Sequence, residues 1–258
     1  MQTPSTNTEF KNFIISLLKK SNIKQEALEK ITNEEGMKQF QISFTHKSFN
    51  PDENYELIEL VGDSIVNACI IKYIRLWDPK IISVKILTRL HHNLRSKDTF
   101  YKFAEKHNFF KFIRLDEELE NTYKSMTNTY RASNSDYKSL LEDTFEAFIG
   151  TVDKLLDEIE FGMGNLICYQ IIKSFLDEIK ISLDYKDIFD AKTRFKEICD
   201  NQRWIGKNLP PLNKLIITTE RYDPLFDFEG KPIIGEDGNQ RCKKMFVSNV
   251  IGFPFGDK

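Results

Sequence analysis

The chain has 258 residues, 40% of them apolar and 12% aromatic, enough to bury a substantial core in one or two domains. Its 37 Lys and Arg against 39 Asp and Glu leave a formal net charge of -2, so the molecule as a whole does not attract nucleic acid or acidic membrane, and any such surface has to be local. The four cysteines (Cys69, Cys168, Cys199, Cys242) are far apart with no CxxC pair, which suits reduced thiols in a cytoplasmic protein better than a disulfide framework or zinc site.

Residues 1–9 are polar, without a basic start or an apolar run, and read as a flexible tail rather than a secretory signal. No later stretch approaches a membrane span. From Phe10 to Leu183 apolar residues recur three and four apart, Gly is scarce, and Pro51 and Pro79 fall between periodic segments. This pattern predicts helices over 10–20, 25–32, 55–77, 82–94, 97–107, 137–156 and 163–183. The stretch 116–136, charged and then rich in Ser, Thr and Asn, reads as a solvated connection. Near 185–190 the style changes. A further helix is expected over 191–201, and past Pro210-Pro211 come strand-like runs at 215–219 and 245–251. The predicted fold class is therefore mainly α: an all-helical domain over 10–184, followed by a small α+β unit over 185–258.

Two segments carry chemistry. In Asn54-Tyr-Glu56-Leu-Ile-Glu59-Leu-Val-Gly62-Asp63-Ser64, the acids Glu56, Glu59 and Asp63 fall at i, i+3 and i+7, on one helix face within roughly 10 Å. In Leu141-Glu142-Asp143-Thr-Phe-Glu146-Ala-Phe-Ile-Gly150, Asp143 and Glu146 share a face among apolar residues, where a charge is costly unless paired or metal-bound. Either segment alone matches an ordinary solvated helix. Together, two helices offering acids to a common seam make an all-oxygen pocket suited to Mg²⁺, a hard cation that keeps several waters.

The first segment resembles the ribonuclease III signature NERLEFLGDS, and the second resembles that family's LADTFEALIG motif. Phe44-Thr45-His46-Lys47-Ser48-Phe49 is similar to its upstream LTHRS element, and residues 94–115 to the stretch between the motifs. The resemblance implies an all-helical endonuclease domain in which Glu59, Asp63, Asp143 and Glu146 hold catalytic metal, with Glu56 supporting the site or facing the scissile strand. It implies Mg²⁺, with Mn²⁺ substituting, and no small-molecule cofactor. It further implies a homodimer that cuts double-stranded RNA, one site per strand, leaving 5′ phosphates and 3′ overhangs. Leu60 stands where the family usually has a Phe that inserts into the partner subunit, so the dimer contact is expected to be altered or refilled here.

Other residues point less far. His46, His91, His92 and His107 form no HxxxH, HExxH or His-Asp pair, so zincin and HD-type readings fail, and no ExxH pair supports a di-iron bundle. His46 reads as a structural residue at a helix end. Lys138 reads as a solvated residue at a helix start, with phosphate contact as the other reading. Lys72, Arg75, Lys80, Lys85, Arg89, Arg95 and Lys97 form either an RNA-facing side or a solvated face.

Residues 190–198 resemble the first helix of a double-stranded-RNA-binding domain, written D-x-K-T-x-L-Q-E, which implies RNA contacts by Thr193, Lys196 and Glu197. The resemblance is to part of that domain, truncated or divergent. Asp223 to Arg241 stands where the family has a short turn, and neither a third strand nor a lysine-rich second helix is found before Lys258. The main rival to a nuclease is a catalytically silent relative that binds duplex RNA or serves as an assembly partner; loss of the carboxylates would mark it, and all five are present.

Overall fold

The computed structural model describes residues 4–189, 191, 193–197, 216–224, 232 and 242–250. The chain divides into two compact units, Met1–Asp184 and Tyr185–Lys258.

The first unit is helical. In order it contains α1 (Pro4–Leu18), α2 (Gln25–Ile31), α3 (Glu34–Ser43), α4 (Glu56–Trp77), α5 (Val84–Leu94), α6 (Lys97–Lys106), a 3-10 turn at Phe109–Phe112, α7 (Glu117–Ser125), α8 (Asn128–Arg131), α9 (Ser135–Asp157) and α10 (Met163–Leu176). Its centre is α9. Asn134 caps that helix by accepting from Tyr137 N at 2.8 Å, and Leu140, Leu141, Phe145, Phe148, Ile149 and Val152 are all buried. A helix with so many buried positions has to be surrounded, and α3, α4, α6 and α10 pack against it. From α4, Ile65, Val66, Cys69, Ile70, Tyr73 and Ile74 supply one buried stripe at helical spacing. Phe100 and Phe103 of α6 meet Phe145 at centroid distances of 5.2 and 5.5 Å, and Phe13 of α1 stacks on Phe112 at 4.4 Å.

Several boundaries differ from those predicted. Helix α1 begins at Pro4, so part of the expected tail is helical, its polar first turns leading to the buried anchor Phe10. Helix α10 ends at Leu176, well before residue 183. The stretch 116–136 is not simply a connection, since it contains α7 and α8. Asp116 caps α7 by accepting from Leu119 N at 2.8 Å, and Tyr123 is buried. Helix α3 was not anticipated either; Asn33 caps it through Gly36 N at 2.8 Å.

In the second unit, Tyr185–Ile188 forms α11, and residue 191 and residues 193–197 are helical. Strands β1 (Ile216–Pro224) and β2 (Cys242–Val250) pair antiparallel, from Ile216 opposite Val250 to Pro224 opposite Cys242. Both are longer than expected, and Lys243-Lys244 lies inside β2 rather than ahead of it. Residues 192, 198–201, 215 and 251 of the expected elements lie outside the described residues. Among the described residues, no helix is long and apolar enough to cross a membrane.

Candidate active site

The site exists because α4 and α9 cross at two glycines. A Cβ on Gly62 would stand 1.8 Å from the Glu146 carbonyl oxygen, and one on Gly150 would stand 2.4 Å from that of Ile58. Only a residue without a side chain permits this approach of backbone to backbone. Glu59 and Asp63 flank Gly62 on α4, and Asp143 and Glu146 precede Gly150 on α9, so the crossing brings both acidic faces together.

Glu59, Asp143 and Glu146 each contribute a carboxylate oxygen to a group in which all three lie within 4.8 Å of one another. Glu59 and Asp143 are half-buried, whereas Glu146 is 2% exposed. Burial pushes the Glu146 carboxyl up to about 9; the Arg95 guanidinium opposes this, while Asp63, Glu142 and Glu59 add to it. Glu59 is also raised, by burial and by Asp63, although hydrogen bonding with Glu146 and the charge of Arg95 pull it back.

Asp63 faces a different partner. Its Oδ1 is in contact with Nη2 of Arg95 and accepts from Asn67 Nδ2 at 3.0 Å. Arg95 also places Nη1 2.6 Å from Glu142 Oε1 and Nη2 2.7 Å from Glu146 Oε1. The last pair is close but not aligned as a hydrogen bond, leaving Glu146 Oε1 a buried oxygen without a donor. Burial alone would lower the Arg95 pKa, yet Glu146, Asp63 and Glu142 hold it above its ordinary value. The network continues outward from Asn67, whose Oδ1 lies 3.1 Å from His91 Nε2.

Glu56 is exposed and paired with Lys47 Nζ at 2.7 Å, outside the three-oxygen group. Lys47 belongs to the turn after α3, which clips the start of α4 in place: Tyr55 N donates to Thr45 O at 3.0 Å and His46 N to Arg114 O at 3.0 Å. His46 Nδ1 accepts from Ser48 N at 3.1 Å, a structural position. Lys138 holds its ammonium 5.5 Å from the Tyr101 ring centroid.

Arg95, Glu142, Asn67 and His91 were not foreseen as site residues. Arg95 stood in a run of basic residues expected to face RNA or solvent, and it turns inward instead. The available signal was Glu142, an acid beside Asp143 in a segment otherwise rich in apolar residues, which required a cation nearby. In the second unit, Thr193, Lys196 and Glu197 share the helical stretch 193–197; Lys196 is exposed, and the Glu197 carboxylate accepts from the Tyr185 hydroxyl.

A ribonuclease-III-like family model matches residues 37–157, which include both crossing helices and all of these carboxylates. The candidate ribonuclease 3 of Invertebrate iridescent virus 6 is 30% identical over 213 residues, covering 76% of this chain and 68% of that protein. The ribonuclease 3 of Limosilactobacillus fermentum is 30% identical over 210 residues, covering 77% of this chain and 81% of that protein. The chain belongs to the ribonuclease III family. A candidate ribonuclease 3 of Frog virus 3 is 38% identical over 163 residues, 61% of this chain, and the match spans 40% of that relative's length. Within the matched region the carboxylates of Glu59, Asp143 and Glu146 converge, while Asp63 is held in the same seam through Arg95.

Proposed function

We propose that the chain is a Mg²⁺-dependent endoribonuclease that cleaves double-stranded RNA, working as a homodimer with one site per strand. The observation that carries this reading is the convergence of three carboxylate oxygens from α4 and α9 on one point. The donor set is all oxygen, which fits a hard divalent cation. Glu59, Asp143 and Glu146 would hold it, with Asp63 alongside. When bound, such an ion makes a coordinated water a better nucleophile and takes up charge on a phosphodiester. The protein's own part is to keep those carboxylates rigid across the Gly62–Gly150 crossing and to release the Glu146 proton as the ion enters. Hydrolysis in this mode leaves 5′ phosphates, and two sites acting on opposite strands leave 3′ overhangs.

Self-association is supported by α4. Leu57, Leu60 and Val61 are 81%, 65% and 44% exposed, an apolar stripe on the face away from α9, and Ile71 continues it. Such a stripe suits burial against a second copy. In the second unit, contact of Thr193, Lys196 and Glu197 with a minor groove remains part of this proposal.

The test is cleavage of a labelled RNA duplex with Mg²⁺ beside single-stranded RNA and duplex DNA. Duplex RNA alone should be cut, with products ligatable through a 5′ phosphate. Binding of the duplex without cutting under every condition would make the chain a silent relative instead.

A further inference from the structure

The metal-site reading leaves Arg95 unexplained. It is a permanent cation already inside the carboxylate cluster. Its Nη2 touches Asp63 Oδ1 and stands 2.7 Å from Glu146 Oε1, while Nη1 stands 2.6 Å from Glu142 Oε1. An ion bridging Asp63 and Glu146 would need the position that this nitrogen holds. The guanidinium is held there: the side chain is 21% exposed, the Arg95 backbone N–H donates to His91 O at 2.8 Å to close α5, and the guanidinium lies 5.7 Å from the centre of the Phe100 ring. The group formed by Glu59, Asp143 and Glu146 meets the guanidinium at the buried Oε1 of Glu146, 2.7 Å from Nη2 and not aligned as a hydrogen bond, and the charge of Arg95 also reaches Glu59.

Resting on the metal-site reading above, we infer that Arg95 is a built-in counter-cation. It takes the position between Asp63 and Glu146, so that the cluster loads one divalent ion, through Glu59, Asp143 and Glu146, and not two. Removing the positive charge opens the second position; exchanging it for another cation does not.

The experiment titrates Mn²⁺ into the full chain at fixed pH and follows the free ion by its electron paramagnetic resonance signal. Ions whose binding is lost in Glu146→Gln are counted as cluster ions. The expected count is one per chain for wild type and for Arg95→Lys, and two for Arg95→Gln. Two ions in wild type, or equal counts in wild type and a folded Arg95→Gln, would overturn the role of Arg95 while leaving the metal site standing. No cluster ion in any form would overturn both. Circular dichroism reports whether each variant folds; if Arg95→Gln does not, the wild-type count decides, with one ion supporting the inference and two overturning it.

Discussion

Glu146 concentrates the energetics of the site in one side chain. Its folded pKa, about 9, lies above the ordinary carboxylate value of 4.5. Between those values the folded chain keeps a proton that the unfolded chain has released, so stability falls as pH rises through that window. In metal-free protein, the melting temperature of wild type should therefore fall from pH 5 to pH 9 relative to Glu146→Gln, in which this group no longer titrates. Parallel pH profiles for the two proteins would contradict the burial of a protonated carboxyl. Metal reverses the preference, because a ligating carboxylate must be ionised. Saturating Mg²⁺ should raise the wild-type melting temperature, and Asp63→Asn combined with Glu146→Gln should abolish that rise. The carboxylates themselves were legible in the sequence because two acidic segments, each alone matching an ordinary solvated helix, occur together in the two motifs that resemble one family. Arg95 was not legible. It follows the last turn of α5, where a side chain turns inward or outward according to what packs there, and Phe100 with three acids decides the matter only in the folded chain.

At the scale of elements, the site depends on how closely two helices approach. A methyl group at Gly62 would meet the backbone of Glu146, which has no flexible end to yield. Gly62→Ala should destabilise the chain by about 3 kcal/mol, near the upper end of typical overpacking costs, and should weaken Mg²⁺ binding in whatever fraction still folds. Chemical denaturation checks the first effect and calorimetry the second; a neutral substitution would mean the crossing is looser than described. The long helices α4 and α9 were readable because each repeats its apolar positions over many turns. Helix α7 was not, because Glu117–Ser125 carries few apolar residues and contributes Tyr123 to the core, its start being fixed by the Asp116 cap. Strands β1 and β2 were found by their apolar runs, but the pairing extends along both strands into polar stretches such as Glu220-Arg221 and Lys243-Lys244, which gave no apolar signal in the sequence.

For the molecule as a whole, the exposed stripe and one side of the acidic cluster lie on the same helix, α4, so the proposed assembly and the proposed catalysis would share one element. Leu60→Glu puts a charge on a side chain that is 65% exposed and should leave the monomer folded. Analytical ultracentrifugation should then show wild type as a dimer and the variant as a monomer, with double-strand cutting lost; a variant that remains dimeric would move the interface elsewhere. The near-neutral net charge is consistent with this organisation, because recognition then rests on local surfaces and on the spacing of two sites rather than on bulk attraction. The central claim is that the seam between α4 and α9 cuts RNA through carboxylate-held metal. The most direct measurement is the rate of duplex RNA cleavage by wild type and Glu146→Gln in Mg²⁺, with Ca²⁺ as the control ion. Cutting by wild type in Mg²⁺ alone, reduced at least 100-fold in Glu146→Gln in keeping with removal of a metal ligand, is the predicted result; equal rates in the two proteins would contradict the account.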